Sequence, residues 1–216
     1  MKSVLIIGIG NFGKHLALKM QELGNDVMII DQNESVIEEL SPIVTDAHIG
    51  NCTNEAVLKS LGIKNFDICF VTIGDNFQSS LEITSILKDL GAKYVISKAS
   101  LDIQAKFLLR NGADEVVYPD KDIAEKLAVR CSVKNVFDYI DLTPEYSIFE
   151  IPVLNSWIGN SIEKINVRRK YHISILAIKK VDAIMPMPKA DYIFNRGDHM
   201  IVLGKSTDII HVADHE

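Results

Sequence analysis

The chain has 216 residues, room for one or two domains, and 47% are apolar, enough to bury a sizeable core. A formal net charge of −6 argues against a surface built for nucleic acid or anionic lipid. No apolar run approaches the length of a bilayer span, the first residues read as strand rather than signal peptide, and three cysteines (Cys52, Cys69, Cys131) without CxxC spacing read as reduced residues of a cytosolic protein.

Lys2 to Ile7 is a short apolar run that predicts a buried strand, followed at once by Gly8-Ile9-Gly10-Asn11-Phe12-Gly13. Leu16, Met20 and Leu23 then repeat at helical steps, Gly24 closes the helix, and a second strand over 26–30 ends at Asp31. Each part has a physical role in holding a nucleotide. Gly8 permits the tight turn, Gly10 leaves the backbone N–H groups open to a phosphate, and Gly13 lets the helix pack close to the sheet. The helix N-terminus offers unpaired donors and partial positive charge to an anion. Asp31 is placed to accept from ribose hydroxyls, and its charge repels a 2′-phosphate.

The unit then repeats. Asn33 caps a helix over 34–40, Ser41-Pro42 breaks it, and a third strand runs from 43 to 49. Thr53 or Asn54 caps a helix over 55–61, and a fourth strand spans 67–73. A helix over 77–90, a strand over 94–97, a helix over 102–110 and a strand over 115–118 follow, and Pro119 opens a helix over 120–131. Glycines at 24, 62, 91 and 112 lie between a helix and the next strand, where a left-handed residue ends helices. Strict strand–helix alternation predicts a parallel sheet with right-handed crossovers and a ligand at the carboxyl ends of its strands. That rim holds Gly8 to Gly13, Asp31, Asn51, Ile73-Gly74, Lys98 and Asp120.

Beyond it the pattern changes. The acidic, aromatic stretch 134–146 has no clear period and reads as a connector. Strands over 146–153, 173–178 and 199–203, short helices near 159–168 and from Ser206, and a Met185-Pro186-Met187-Pro188 segment that cannot be a central strand make a smaller domain. The expectation is an α/β protein: a Rossmann-like doubly wound domain over 1–133, a connector over 134–146, and a second, smaller α+β domain over 147–216.

Together these residues resemble the regulator-of-potassium-conductance family, of the TrkA/KtrA type, over the whole chain. The carriers are Ile7 to Gly13, Leu61-Gly62-Ile63, Ile73-Gly74, Asn111 to Asp114, Pro119 to Asp122, Asn135-Val136, and Asn166-Val167-Arg168 before Ile175 to Ile178. The resemblance implies a cytoplasmic regulatory subunit, peripheral to the inner face of the cell membrane. It implies homodimers assembling into a ring, expected as an octamer, that gates an integral membrane potassium-translocating subunit as nucleotides change the ring's shape. No nucleic acid is implied. Carried over by position, Gly8, Ile9, Gly10, Asn11, Phe12, Gly13, Asp31, Gln32, Asn33, Asn51, Cys52, Ile73, Gly74 and Lys98 would line ATP or ADP, or NAD or NADH in some members. Asp120 matches an acidic position that takes part in divalent cation binding (Mg2+ or Ca2+) in some members, where Glu is usual. Arg168 and Pro188 match positions where some relatives bind cyclic di-AMP, with Ser174 where Asn is common and His172 where Gly is common. One departure is chemical: ATP-responsive members carry Arg, reaching a terminal phosphate across the dimer, where this chain has Asn11. A charge-assisted hydrogen bond contributes about 1.5–3 kcal/mol, about ten- to over a hundredfold in affinity. ATP-over-ADP discrimination therefore stays open, and so does NAD(H).

Other patterns point to chemistry less well. Tyr94 and Lys98 spell the YxxxK pair of short-chain dehydrogenases, which needs both side chains one turn apart on a helix; on a strand they stand about 13 Å apart. His211 and His215 are spaced as two metal ligands on a helix, without a third in view. With no convergent acid–base set, the expectation is a binding protein rather than an enzyme; the alternative is an NAD-dependent oxidoreductase, whose plan also uses a Rossmann-like lobe.

Overall fold

The computed structural model describes residues 1–132, 135–181 and 183–214. The chain divides into two compact units, residues 1–122 and 123–216, the division falling inside one helix.

The first unit alternates strand and helix throughout: β1 (Ser3–Ile7), α1 (Asn11–Glu22), β2 (Asp26–Asp31), α2 (Glu34–Leu40), β3 (Asp46–Ile49), α3 (Glu55–Ser60), β4 (Ile68–Val71), α4 (Phe77–Asp89), β5 (Val95–Lys98), α5 (Asp102–Arg110), β6 (Glu115–Val117) and α6 (Pro119–Ser132). The strands pair in parallel in the order β3-β2-β1-β4-β5-β6. The order reverses between β1 and β4, so the crevice past their carboxyl ends is where a ligand belongs. Successive β1 residues face opposite ways. Leu5 and Ile7 pack with Leu58, Ile63 and Leu87, while Val4 and Ile6 pack with Ala17, Ile37 and Leu40. Burial on both faces explains why β1 is an unbroken apolar run. Each fully buried aliphatic side chain contributes roughly 1.5–3 kcal/mol. The four helix-ending glycines all take positive φ. The third strand starts later than expected, because residues 43 and 44 still bond back to Leu40 and prolong the end of α2.

The second unit holds an antiparallel sheet in the order β10-β9-β11-β8-β7, built from β7 (Asp138–Asp141), β8 (Tyr146–Pro152), β9 (Ser174–Lys180), β10 (Ala183–Pro186) and β11 (His199–Lys205). Its short helices are α7 (Ile162–Ile165), α8 (Val167–Tyr171) and α9 (Ser206–Ala213). Two expectations change. The segment read as a connector contains β7, paired with β8 at Ile140↔Ile148. Its alternation was hidden: Asp141 shares the face of buried Tyr139, where its carboxylate accepts from the buried Ser147 hydroxyl at 2.7 Å, while apolar Ile140 lies exposed on the outer face with Asp138. The helix expected over 159–168 is two, because Asn166 takes φ 57° and ends α7. The proline-rich segment does sit at an edge, with Pro186 last in β10. The unit has its own core, centred on Trp157, the one tryptophan in the sequence, which packs against Tyr171 and Phe194 at ring-centre distances of 5.0 and 5.7 Å.

Candidate nucleotide site

The glycine turn is assembled from below. Gly8 takes φ 89° as the chain leaves β1. The hydroxyl of Thr72, just past β4, donates to the Gly8 carbonyl and lies 3.1 Å from that of Ile7. Gly13 is buried against the same two groups: a Cβ there would collide with the Gly8 carbonyl oxygen and come within 2.6 Å of the Thr72 hydroxyl. Gly13 therefore serves helix–sheet packing. Gly10 is the opposite case, since a Cβ there would meet nothing within 4 Å.

Two neighbouring hollows open over this turn. One, of about 370 Å³, is bordered by Gly8, Asp31, Gln32, Asn33, Cys52 and Ile73, with Ile7, Ile30 and Ile83 as apolar wall. The other, of about 520 Å³, is bordered by Gly8, Ile9, Gly10, Asn11, Asp31, Asn33, Ile73 and Gly74. The first offers apolar wall and polar rim for a base and ribose, and the second offers backbone for phosphates. Gly10 caps α1 without any side chain, whereas Asn33, Asn54 and Asn76 each cap the helix that follows them. The first-turn N–H groups of α1 are thus left to an anion. The residues present fit a nucleotide.

Asp31 accepts from the Ile9 backbone N–H at 2.5 Å and from that of Asn33 at 2.8 Å. It ties the glycine loop to the end of β2, and its oxygens keep lone pairs for ribose hydroxyls. Burial, with a smaller contribution from the Asp31 charge, pushes the Cys52 thiol up to about 12. At neutral pH Cys52 is an uncharged wall, not a nucleophile.

Four expected residues do not border the hollows. Phe12 is half-buried on α1 and Gly13 lies beneath the turn. Asn51 folds its own loop, accepting from the Thr53 N–H at 3.0 Å and the Thr53 hydroxyl at 2.8 Å. Lys98 points its Nζ to 3.5 Å from where a Gly74 Cβ would be, and pairs with Asp120 at 3.3 Å. Sequence reasoning missed Asn76 and Ser79 at the start of α4, Thr72, and the Lys14–Glu39 pair. The cap signal at Asn76 was legible, but not that this helix starts at the same rim.

The other candidates are dispersed. Asp120 is mostly exposed and paired to Lys98, and among the described residues no three His, Cys, Asp or Glu side chains converge on a metal position. Ser174 opens β9 and Pro188 follows β10, while Arg168 stands exposed on α8; among the described residues no hydrogen bond or ion pair joins the three. The Tyr94 hydroxyl donates to Glu115 at 3.1 Å while Lys98 pairs with Asp120, so the YxxxK pair is not a unit. The His211–His215 pair includes His215, which lies outside the described residues. No described helix is long and apolar enough to cross a membrane.

Residues 4–119 match the family model of the TrkA-N domain, and residues 147–215 that of the TrkA-C domain. Over 208 residues the chain is 38% identical to the Ktr system potassium uptake protein C of Bacillus subtilis (strain 168), covering 96% of this chain and 94% of that protein. It is 37% identical, over the same length and shares, to the Ktr system potassium uptake protein A of the same organism. The solved structure of the GsuK channel bound to NAD superposes on 100% of this chain and 40% of its own, with a TM-score of 0.69 and 16% identity, a likeness of fold. With both domains matched in order along one chain, the protein belongs to the regulator-of-potassium-conductance family, of the TrkA/Ktr type.

Proposed function

We propose that this chain is a nucleotide-binding regulatory subunit that gates a membrane potassium-translocating protein. The observation that carries the nucleotide half is the pair of hollows meeting at Gly8 and Asp31, with bare backbone at Gly10 and no side-chain cap on α1. The transport half is supported by the relatives, both potassium uptake proteins by name. ATP, ADP, NAD and NADH all present the adenosine and phosphates these hollows suit, and the GsuK neighbour holds NAD. The chain acts from the cytoplasm, as copies arranged in a ring. Nucleotides shift that ring only by their differential affinity for its two shapes. Moving it from 1:99 to 99:1 takes about 5.5 kcal/mol, which several sites supply jointly. Cyclic di-AMP at Arg168, Ser174 and Pro188 belongs to this proposal in a form that needs a second copy of the chain.

Calorimetric titration of the full chain with ATP, ADP and NADH tests the reading. Binding of at least one is expected, and heat from none of the three would overturn it. Titration with cyclic di-AMP tests the second site separately.

A further inference from the structure

The hollow over the glycine turn contains charges that the binding of an internal pyrophosphate does not use. Lys14 stands on the first turn of α1, its N–H bonded to the Gly10 carbonyl at 2.9 Å. Its Nζ meets Glu39 Oε1, from α2, at 2.5 Å. Both residues border the 520 Å³ hollow, and Asp31 and Asp75 border it too. Among the described residues lining it, Lys14 is the one cation, against three carboxylates. Asn11, at the head of α1, is neutral. Lys98, near Gly74, is held by Asp120.

A terminal phosphate carries close to a second negative charge at pH 7. Each phosphate of a dinucleotide is linked on both sides, to a ribose and to the other phosphate, and carries one. The N–H groups of α1 serve either kind of pyrophosphate alike. The extra terminal charge would enter a hollow whose acids outnumber its cation, unless that cation is released to meet it. The Lys14–Glu39 pair is partly exposed, with side-chain exposures of 34% and 57%, and such pairs are weakly held. Exchanging a carboxylate for a phosphate leaves the ammonium paired throughout.

Resting on the nucleotide reading above, we propose that Lys14 is the specificity-determining residue of this site. It recognises the terminal phosphate of a nucleoside di- or triphosphate, and Glu39 holds it aside until that phosphate arrives. Dinucleotides bind without it. Glu39 thereby sets the threshold: it competes with the phosphate for Lys14, and once released it repels the incoming anion.

The test is calorimetry on the full chain at about 0.15 M ionic strength, without added divalent cation, using ATP, ADP and NAD+ against K14M, K14R and E39Q. K14M weakens ATP about tenfold or more and leaves NAD+ within about twofold, near the scatter of a neutral surface change. K14R retains most of the ATP affinity. E39Q tightens ATP roughly two- to fivefold without tightening NAD+. The E39Q arm keeps the inference open to refutation if K14M fails to fold. Equal losses for ATP and NAD+ in K14M, or unchanged ATP affinity in both K14M and E39Q, overturn it. Wild-type chain that binds none of the three overturns the nucleotide reading instead.

Discussion

Thr72 shows how one side chain can organise a turn made of glycines. Its hydroxyl is buried and supports the Gly8 carbonyl from below, so the loop is fixed before any ligand arrives. Replacing it with valine keeps the shape and removes the donor. Thr72→Val is expected to cost about 1–3 kcal/mol of stability, the penalty for a buried acceptor left unmatched, and to weaken nucleotide binding; urea unfolding and calorimetry measure the two. The buried thiols make a second prediction. Burial raises Cys52 and Cys69 from an ordinary 9.0 to about 12. The folded state therefore holds these protons longer than the unfolded state. Their contribution to stability is full below about pH 9 and is lost as pH rises toward 12. The urea midpoint should fall between pH 7 and pH 10, and the fall should be smaller in a C52A/C69A variant; an equal fall would assign it to the tyrosines instead.

The helices of the first unit owe their starting points to a repeated device. Asn33, Asn54 and Asn76 each accept a hydrogen bond from an N–H of the helix they precede. Asn54 lies off the hollows and Asn76 borders both. Asn54→Ala should therefore lower stability by about 1 kcal/mol and leave nucleotide affinity unchanged, while Asn76→Ala should lower both, as thermal melts and calorimetry will show. Such local signals are what sequence carries well. The β1–α1–β2 segment was readable because its periods, its glycines and Asp31 lie within one short stretch. Pro186 ruled out a central strand in advance, but that its segment forms an edge strand came only from the fold. β7 was not readable, because charged Asp141 stands on the face of Tyr139 and apolar Ile140 on the exposed face, so its four residues show no apolar–polar alternation. Thr72, Ser79 and the Lys14–Glu39 pair were missed for another reason: they join the site from α1, α2, β4 and α4, and only the fold brings those ends together.

The protein holds two cores built from separate stretches of chain. The first unit wraps both faces of a parallel sheet, and the second packs its own antiparallel sheet around Trp157. Ligand binding stabilises whatever it binds, by about 2.7 kcal/mol at a hundred times the dissociation constant. Saturating ATP should therefore raise the melting temperature of the full chain followed by far-ultraviolet circular dichroism. If the two cores unfold independently, the transition followed by Trp157 emission should stay where it was; a single shared rise would mean they melt as one. The solitary indole has one more use. No tryptophan lies in residues 1–122, where the adenylate is proposed to sit, so with excitation selective for indole, quenching by direct contact within that unit has no indole to act on. Any change in emission colour on mixing would then be news received by the other half of the chain, and an optical assay for signalling is already built into the natural sequence.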